Sequence, residues 1–203
     1  MTLPAVGQLF DVKVVIASSP NYFIVQPYAN AQQLNRMMHE LQDFCMQKAQ
    51  PVRKENVRQN EVYAALNTDG HWYRVSVINI LVGPTPIHVF FCDFGRIGVL
   101  DVSALRMLPA NFRVLPQQAI KAKLHGVKPL HKDWQAEDAV RFQRLTVDRK
   151  FASIVRGIQA DEINRAEKLL ELELIDVSSE EDIYLNKTLV DEGRAVYTAA
   201  QAV

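Results

Sequence analysis

The chain has 203 residues, 48% of them hydrophobic, enough to bury the core of one large domain or two small ones. Lys and Arg together number 23 and match 23 Asp and Glu, so the formal net charge is +0 and both signs run through both halves. No basic stripe marks a duplex-binding face and no block of like charge marks a tail, which leaves RNA as a secondary partner at most. The only cysteines, Cys45 and Cys92, lie in separate segments and fit neither a zinc site nor a disulfide framework. The first residues lack a basic stretch before an apolar one, and no apolar run approaches the roughly 20 residues of a membrane span. The expectation is a soluble intracellular protein, or a domain of one, with no membrane partner.

In chain order, "LFDVKVVIASSPNYFIVQPY" reads as two strands joined by a hairpin turn at Ser18-Ser19-Pro20-Asn21. Leu34, Met37, Met38, Leu41, Phe44 and Cys45 then recur at helical spacing. Asn30 is placed to cap that helix, with Gln33 completing a capping box. The apolar stripe suits a helix packed on a sheet better than a ligand groove. "AQPVRKENVRQN" is polar and reads as a connection. From Glu61 to Leu100 the chain is strand-rich ("EVYAAL", "HWYRVSVINIL", "PIHVFFCDF", "IGVLDV"), with breaks at residues 67–70, at Gly83-Pro84 and at Gly95. Short strands at this spacing predict a small antiparallel barrel, with "VSALRMLP" adding a helical turn that closes it. Further on, "QAIKAKLHGV" alternates as a strand and "DWQAEDAVRFQRLT" reads as a helix whose apolar positions include Trp134 and Phe142. "FASIVRGI" and "KLLELELIDV" are strands around the polar "QADEINRAE". "LNKTLVDEGRAV" is a short helix capped by Asn186 and stopped at Gly193. The first and last parts are each too short to bury a core alone, so they are expected to join as one α+β, β-rich domain with the barrel inserted between them.

The stretch "HVFFCDFGRIG" carries the candidate site. Phe91 and Phe94 would face opposite sides of a regular strand, and they share a pocket only if the chain turns at Gly95. On the preceding strand Tyr73, Val75 and Val77 share one face, opposite Ile87, Val89 and Phe91. Tyr73 then falls near Asp93 and diagonal to Phe91. Parity alone leaves two readings open: three rings capping the core, or three walls of an aromatic cage.

"DGHWYRVSV" followed by "IHVFFCDFG" resembles the Tudor signature. "SSPNYFIVQ", "FRVLPQQAIKAKLHGV" and "LNKTLVDEGRAV" around it resemble the rest of an extended Tudor domain. That unit is a Tudor barrel inserted in a staphylococcal-nuclease-like OB fold and joined to it by a long linking helix. The resemblance covers essentially the whole chain, and among subfamilies it is most like the C-terminal domain of Tapas-type LOTUS–Tudor germ-granule proteins. It implies residues 1–54 as the first part of the OB domain with the helix, 55–110 as the barrel and 111–203 as the second OB part. It further implies a protein-interaction module of the germline piRNA pathway, which silences transposons. Such a module binds Arg-Gly-rich N-terminal tails of Piwi-clade Argonautes in cytoplasmic, perinuclear germ granules (nuage), along with other germ-granule proteins.

The family's cage has four aromatic positions and an Asn. Here Tyr73, Phe91 and Phe94 fill three, Asn67 stands at the first, and Arg96 replaces the Asn. The missing ring removes part of the cation–π attraction. Arg96 offers only donors and a positive charge, which repels a ligand guanidinium unless Asp93 or another acid compensates. Weakened methylarginine binding is therefore expected ahead of proficient binding; the alternative is a structural scaffold with an inert cage.

Catalysis is not expected. Metal-assisted phosphodiester cleavage needs convergent carboxylates, whereas Asp11 and Asp176 are isolated and Glu180-Glu181-Asp182 reads as a solvated loop. No metal and no cofactor is expected either. His39, His71 and His88 have no ligand spacing, and Cys92 has no nearby base to activate it.

Overall fold

The structure is a computed structural model and describes residues 3–80, 86–161 and 167–198. The turn expected at Gly83-Pro84 and most of "QADEINRAE" lie outside the described residues. The strands are β1 (Val12–Ser19), β2 (Tyr22–Pro27), β3 (Val62–Leu66), β4 (Trp72–Ile80), β5 (Pro86–Phe91), β6 (Ile97–Asp101), β7 (Leu105–Arg106), β8 (Ile120–Leu124), β9 (Val127–Pro129), β10 (Lys150–Ala160), β11 (Lys168–Asp176), β12 (Ile183–Tyr184) and β13 (Ala195–Tyr197). The helices are α1 (Ala31–Gln47), α2 (Ala136–Thr146) and α3 (Leu185–Asp191). These elements form two compact units, residues 1–29 with 120–203 and residues 30–119.

In the first unit the sheet runs β10-β1-β2-β8-β11-β12, and a further β10–β11 pairing closes it on itself. The β8–β11 ladder is parallel and its neighbours are antiparallel. Alternation fixes which face is inside: β8 buries Ile120, Ala122 and Leu124 and half-exposes Lys121 and Lys123. Val14, Phe23, Phe151 and Leu172 join them in one core, and α2 adds Phe142, whose ring lies 5.4 Å from that of Phe23. Trp134 packs against this core from just before α2 rather than from within it.

The cap expected at Asn186 is not formed. Tyr184 precedes α3, while Asn186 is buried inside its first turn with its side-chain oxygen accepting from the Lys187 N–H at 2.9 Å. The stop at Gly193 is formed, at φ +68 with its N–H donating to the Val190 carbonyl at 2.9 Å.

The second unit is built on a five-stranded antiparallel sheet in the order β6-β5-β4-β3-β7. All five strands contribute to one core, through residues such as Tyr63, Val75, Val89, Leu100 and Leu105. "VSALRMLP" supplies a 3-10 turn at Val102–Ala104 and then β7, which pairs with β3. The connection from 49 to 60 is less inert than its polarity suggests, because Val52 and Val57 are buried in the same core.

The outer face of β3 and β4 is also covered. Helix α1 lays Leu34, Met37, Leu41 and Cys45 against Ala64 and Trp72, with Phe112 and Leu115 completing the cluster. Gln42 on the same helix mimics a strand neighbour: it accepts from the Trp72 N–H at 2.7 Å and donates to the Trp72 carbonyl at 2.9 Å. The expected capping box is absent. Asn30 makes no side-chain cap bond and donates instead to the Gln118 side chain at 3.0 Å.

Candidate functional site

The site is set first by register. Val75 pairs with Phe91 and Val77 with Val89, so Tyr73 lies one step past the ladder and diagonal to Phe91. After Phe91 the chain turns tightly. Its carbonyl accepts from the N–H of Phe94 at 3.1 Å and of Gly95 at 2.8 Å, and its own N–H donates to the Arg96 carbonyl at 2.8 Å. Gly95 sits at φ +76, where a side chain would be strained. This turn brings Phe94 back to Tyr73 with ring centroids 5.4 Å apart at 89°, while Phe91 meets Tyr73 at 5.4 Å and 73°. Edge-to-face pairs of this kind contribute about 0.5–1.5 kcal/mol each beyond burial. Gly98 on β6 makes room for the arrangement, since a Cβ there would lie 3.0 Å from the Phe91 ring edge. Phe91 is buried, whereas Tyr73 and Phe94 are half-buried at the edge of the barrel core.

Asn67 opens the turn before β4. Its N–H donates to the His71 carbonyl at 2.9 Å and its side-chain amide donates to Asp69 at 2.8 Å. Asp69, which sequence reasoning passed over as part of a turn, is the electrostatic centre of the site. Its carboxylate accepts also from the His71 N–H at 3.0 Å and the Tyr73 hydroxyl at 2.9 Å. Slight burial works the other way, but these three donors hold the Asp69 carboxyl below its ordinary value. Burial, with Asp69 accepting its proton, holds the Tyr73 phenol above 10.0. The signal available in sequence was the N-x-D-G turn four residues before Tyr73, which favours a carboxylate bonded to local N–H groups.

Arg96 closes the arrangement. Its guanidinium carbon stands 4.7 Å from the Phe91 ring centroid and 5.4 Å from that of Tyr73, within cation–π range of both. Its Nη2 lies 4.0 Å from Asp69, and the two side chains are 44% and 39% exposed.

Asp93 is turned to a different task. It is 1% exposed and takes both Nε of Arg74, at 2.9 Å, and Nη2, at 2.5 Å. Arg74 also donates to the carbonyls of Phe112, Leu115 and Pro116 at 2.8, 2.5 and 3.0 Å. The acid brought to Arg96 is thus Asp69, four residues from Tyr73 on the other side of the mouth. Cys92 is buried beside this pair, and burial pushes its thiol up to about 12. Among the described residues no group of three or more His, Cys, Asp and Glu side chains is placed to hold a metal ion.

A five-stranded barrel with three rings converging at one end, carried on a chain with a second closed sheet, defines the extended Tudor class of fold. A family profile described as "Tudor domain" matches residues 4–126, and the chain belongs to that family. The extended Tudor domain TD3 of mouse TDRD1, solved with a MILI peptide containing dimethylarginine, superposes with a TM-score of 0.85 over 98% of this chain and 97% of that one, at 25% identity. The extended Tudor domain of human TDRD1, solved with a symmetrically dimethylated peptide, gives 0.81 over 98% and 94%, at 27% identity. Among curated relatives, Tudor domain-containing protein 5 of Danio rerio is 32% identical over 195 residues, 93% of this chain and 21% of that protein. The chain spans about a fifth or less of the curated relatives it matches.

Proposed function

We propose that the chain is a non-enzymatic protein-interaction module that binds arginine-rich tails through Tyr73, Phe91 and Phe94, with a weakened grip on dimethylarginine. The observation carrying this reading is that two of these rings already face a guanidinium, that of Arg96, beside a carboxylate. A site that accommodates an internal arginine has the chemistry for an external one. The mouse and human neighbours solved with dimethylated peptides support the ligand class. By the family resemblance the partner is the Arg-Gly-rich N-terminal tail of a Piwi-clade Argonaute, met in cytoplasmic, perinuclear germ granules with other granule proteins, and RNA is at most a secondary ligand.

The weakness has two causes. Asn67 contributes no ring, and its amide is engaged with Asp69. Arg96 brings a like charge to the place where the family has an acceptor. Calorimetry with symmetrically dimethylated and unmodified Arg-Gly peptides tests the reading. Wild type is expected to bind weakly with little methyl preference. The double change Asn67→Phe and Arg96→Asn adds a ring and an acceptor and removes a charge. It is expected to raise affinity for the methylated peptide by about tenfold, the worth of one good contact of about 1.4 kcal/mol. Strong methyl selectivity in wild type would sink the weakened-cage reading. A second reading, a scaffold whose cage is inert, draws on the same engagement of Asn67 and Arg96, and it predicts no gain in the folded double mutant.

A further inference from the structure

The cage residues leave one group unexplained: a carboxylate fixed at the rim by three donors, none of them a full cation, with a guanidinium beside it. The donors are the Asn67 amide, the His71 N–H and the Tyr73 hydroxyl, at 2.8, 3.0 and 2.9 Å. They orient Asp69 without neutralising it. A carboxylate has about four acceptor positions, so capacity remains for one more donor. Two groups face that capacity: the His71 imidazole, whose Nδ1 lies 3.7 Å from the carboxylate, and Arg96, which rests on the Phe91 and Tyr73 rings and meets Asp69 only at longer range. The Arg96 nitrogen stands at 4.0 Å rather than at hydrogen-bond distance, and its side chain is 44% exposed. Its backbone, in contrast, is pinned, because the Arg96 carbonyl accepts from the Phe91 N–H at 2.8 Å. The main chain stays in place, and what the side chain gives up on leaving is its contact with the Phe91 and Tyr73 rings, the same contact a ligand guanidinium would make.

We propose that Asp69 is the anionic anchor of the site and that Arg96 holds, in cis, the place of a ligand guanidinium, so that an arginine side chain binds by exchange with Arg96. The inference rests on the arginine-reader function above and adds a binding residue, a resident competitor and a ligand preference. The preference follows from the anchor. Symmetric dimethylation replaces one N–H on each terminal nitrogen with a methyl, which improves ring contact and reduces donation to Asp69. The two effects oppose, and unmodified arginine competes with the methylated form on nearly equal terms. Exchange also lowers apparent affinity by the fraction of molecules in which the rings are vacant.

The test uses the whole chain with wild type, Arg96→Ala, and Arg96→Ala combined with Asp69→Asn. Each is titrated by calorimetry with unmodified and symmetrically dimethylated Arg-Gly peptides, after amide spectra show an unchanged fold. If the rings are vacant about a tenth of the time, Arg96→Ala tightens binding of both peptides about tenfold. Adding Asp69→Asn reverses that gain, more for the unmodified peptide. In parallel, the Arg96 side-chain protons of wild type are expected at ring-current-shifted positions that relax toward ordinary values as peptide is added. Wild type that binds while Arg96→Ala binds no better overturns the exchange and leaves the reader intact. Shifted Arg96 protons with no peptide binding to any variant overturn the reader and leave Arg96 as a permanent plug. A double variant that binds as tightly as Arg96→Ala overturns Asp69 as anchor.

Discussion

Asp93 and Asp69 show how two acids at one barrel mouth acquire opposite roles. Asp93 follows directly on the buried strand end, and it is 1% exposed against an Arg74 that is 3% exposed. Two charges taken this far from water persist only with close pairing and satisfied hydrogen bonds, and the five hydrogen bonds of Arg74 supply both. The arginine of the "WYR" strand is therefore a clasp holding the turn after β5 and the segment 112–116 to β4. Replacing it by Met takes the guanidinium away from buried Asp93 and from the Phe112 and Leu115 carbonyls. Arg74→Met is expected to cost about 3–5 kcal/mol, read as a lowered urea midpoint of residues 30–119, and a loss below about 1 kcal/mol would show that the pair is not structural. Asp69, on an exposed turn, keeps a charge that a ligand can reach.

At the scale of elements, α1 and α3 are held by side chains that reach other elements rather than by side-chain caps, whereas α2 keeps a capping box in which the Gln135 N–H donates to Asp138 at 3.2 Å. Gln42 of α1 substitutes for a missing strand neighbour at Trp72. Between α2 and the end of α3, Glu192 takes Arg141 in a bidentate pair at 2.6 and 3.0 Å, and Arg194 links Glu192, at 3.1 Å, to Asp138, at 2.9 Å. The Arg141 hydrogen bonds, against a smaller opposing effect of burial, hold the Glu192 carboxyl below its ordinary 4.5. A depressed carboxylate stabilises the fold above its unfolded value and loses that contribution as pH falls through its folded one. Glu192→Gln is thus expected to be less stable than wild type at neutral pH, with the two stabilities converging as the pH falls below 4.5 and on through the lowered folded-state value. Urea midpoints of both proteins across that range check it; curves that stay parallel would remove Glu192 from the acid response.

For the whole molecule, the parts that complete the barrel come from outside its strands. Arg74 needs the carbonyls of residues 112, 115 and 116, and Trp72 needs Leu34, Leu41 and Phe112 beside it. A fragment of residues 55–110 keeps the aromatic mouth but exposes Trp72 and strands the Arg74–Asp93 pair. It is expected to give a poorly dispersed amide spectrum and no cooperative unfolding, whereas residues 30–119 restore both. A well-folded 55–110 fragment would mean that the inner core of Tyr63, Val75 and Val89 suffices.

Much of this was determined by the chain alone, because the relevant physics is local. β-rich runs between turn signals located β1 to β6, β8, β10 and β11, and alternation fixed the faces of β4, β5 and β8; the 3.6-residue stripe located α1; and the freedom of Gly95 to take positive φ predicted the turn that returns Phe94 to Tyr73. The small strands β9, β12 and β13 were not legible, since two or three residues carry no period. Asn30 and Asn186 have the chemistry of caps, and only packing decides where such a side chain goes: Asn30 turns to Gln118, while Asn186 sits inside the first turn of α3, buried, and accepts from the Lys187 N–H there. The site divides the same way. Parity on β4 and β5 sufficed to bring Tyr73 and Phe91 together, since register is a pairwise property of adjacent strands. Which acid meets Arg96 was a question of three dimensions. It depended on Arg74 claiming Asp93 from the opposite face of β4, and on a turn aiming Asp69 across the mouth, and neither is encoded in the spacing of charges along the sequence.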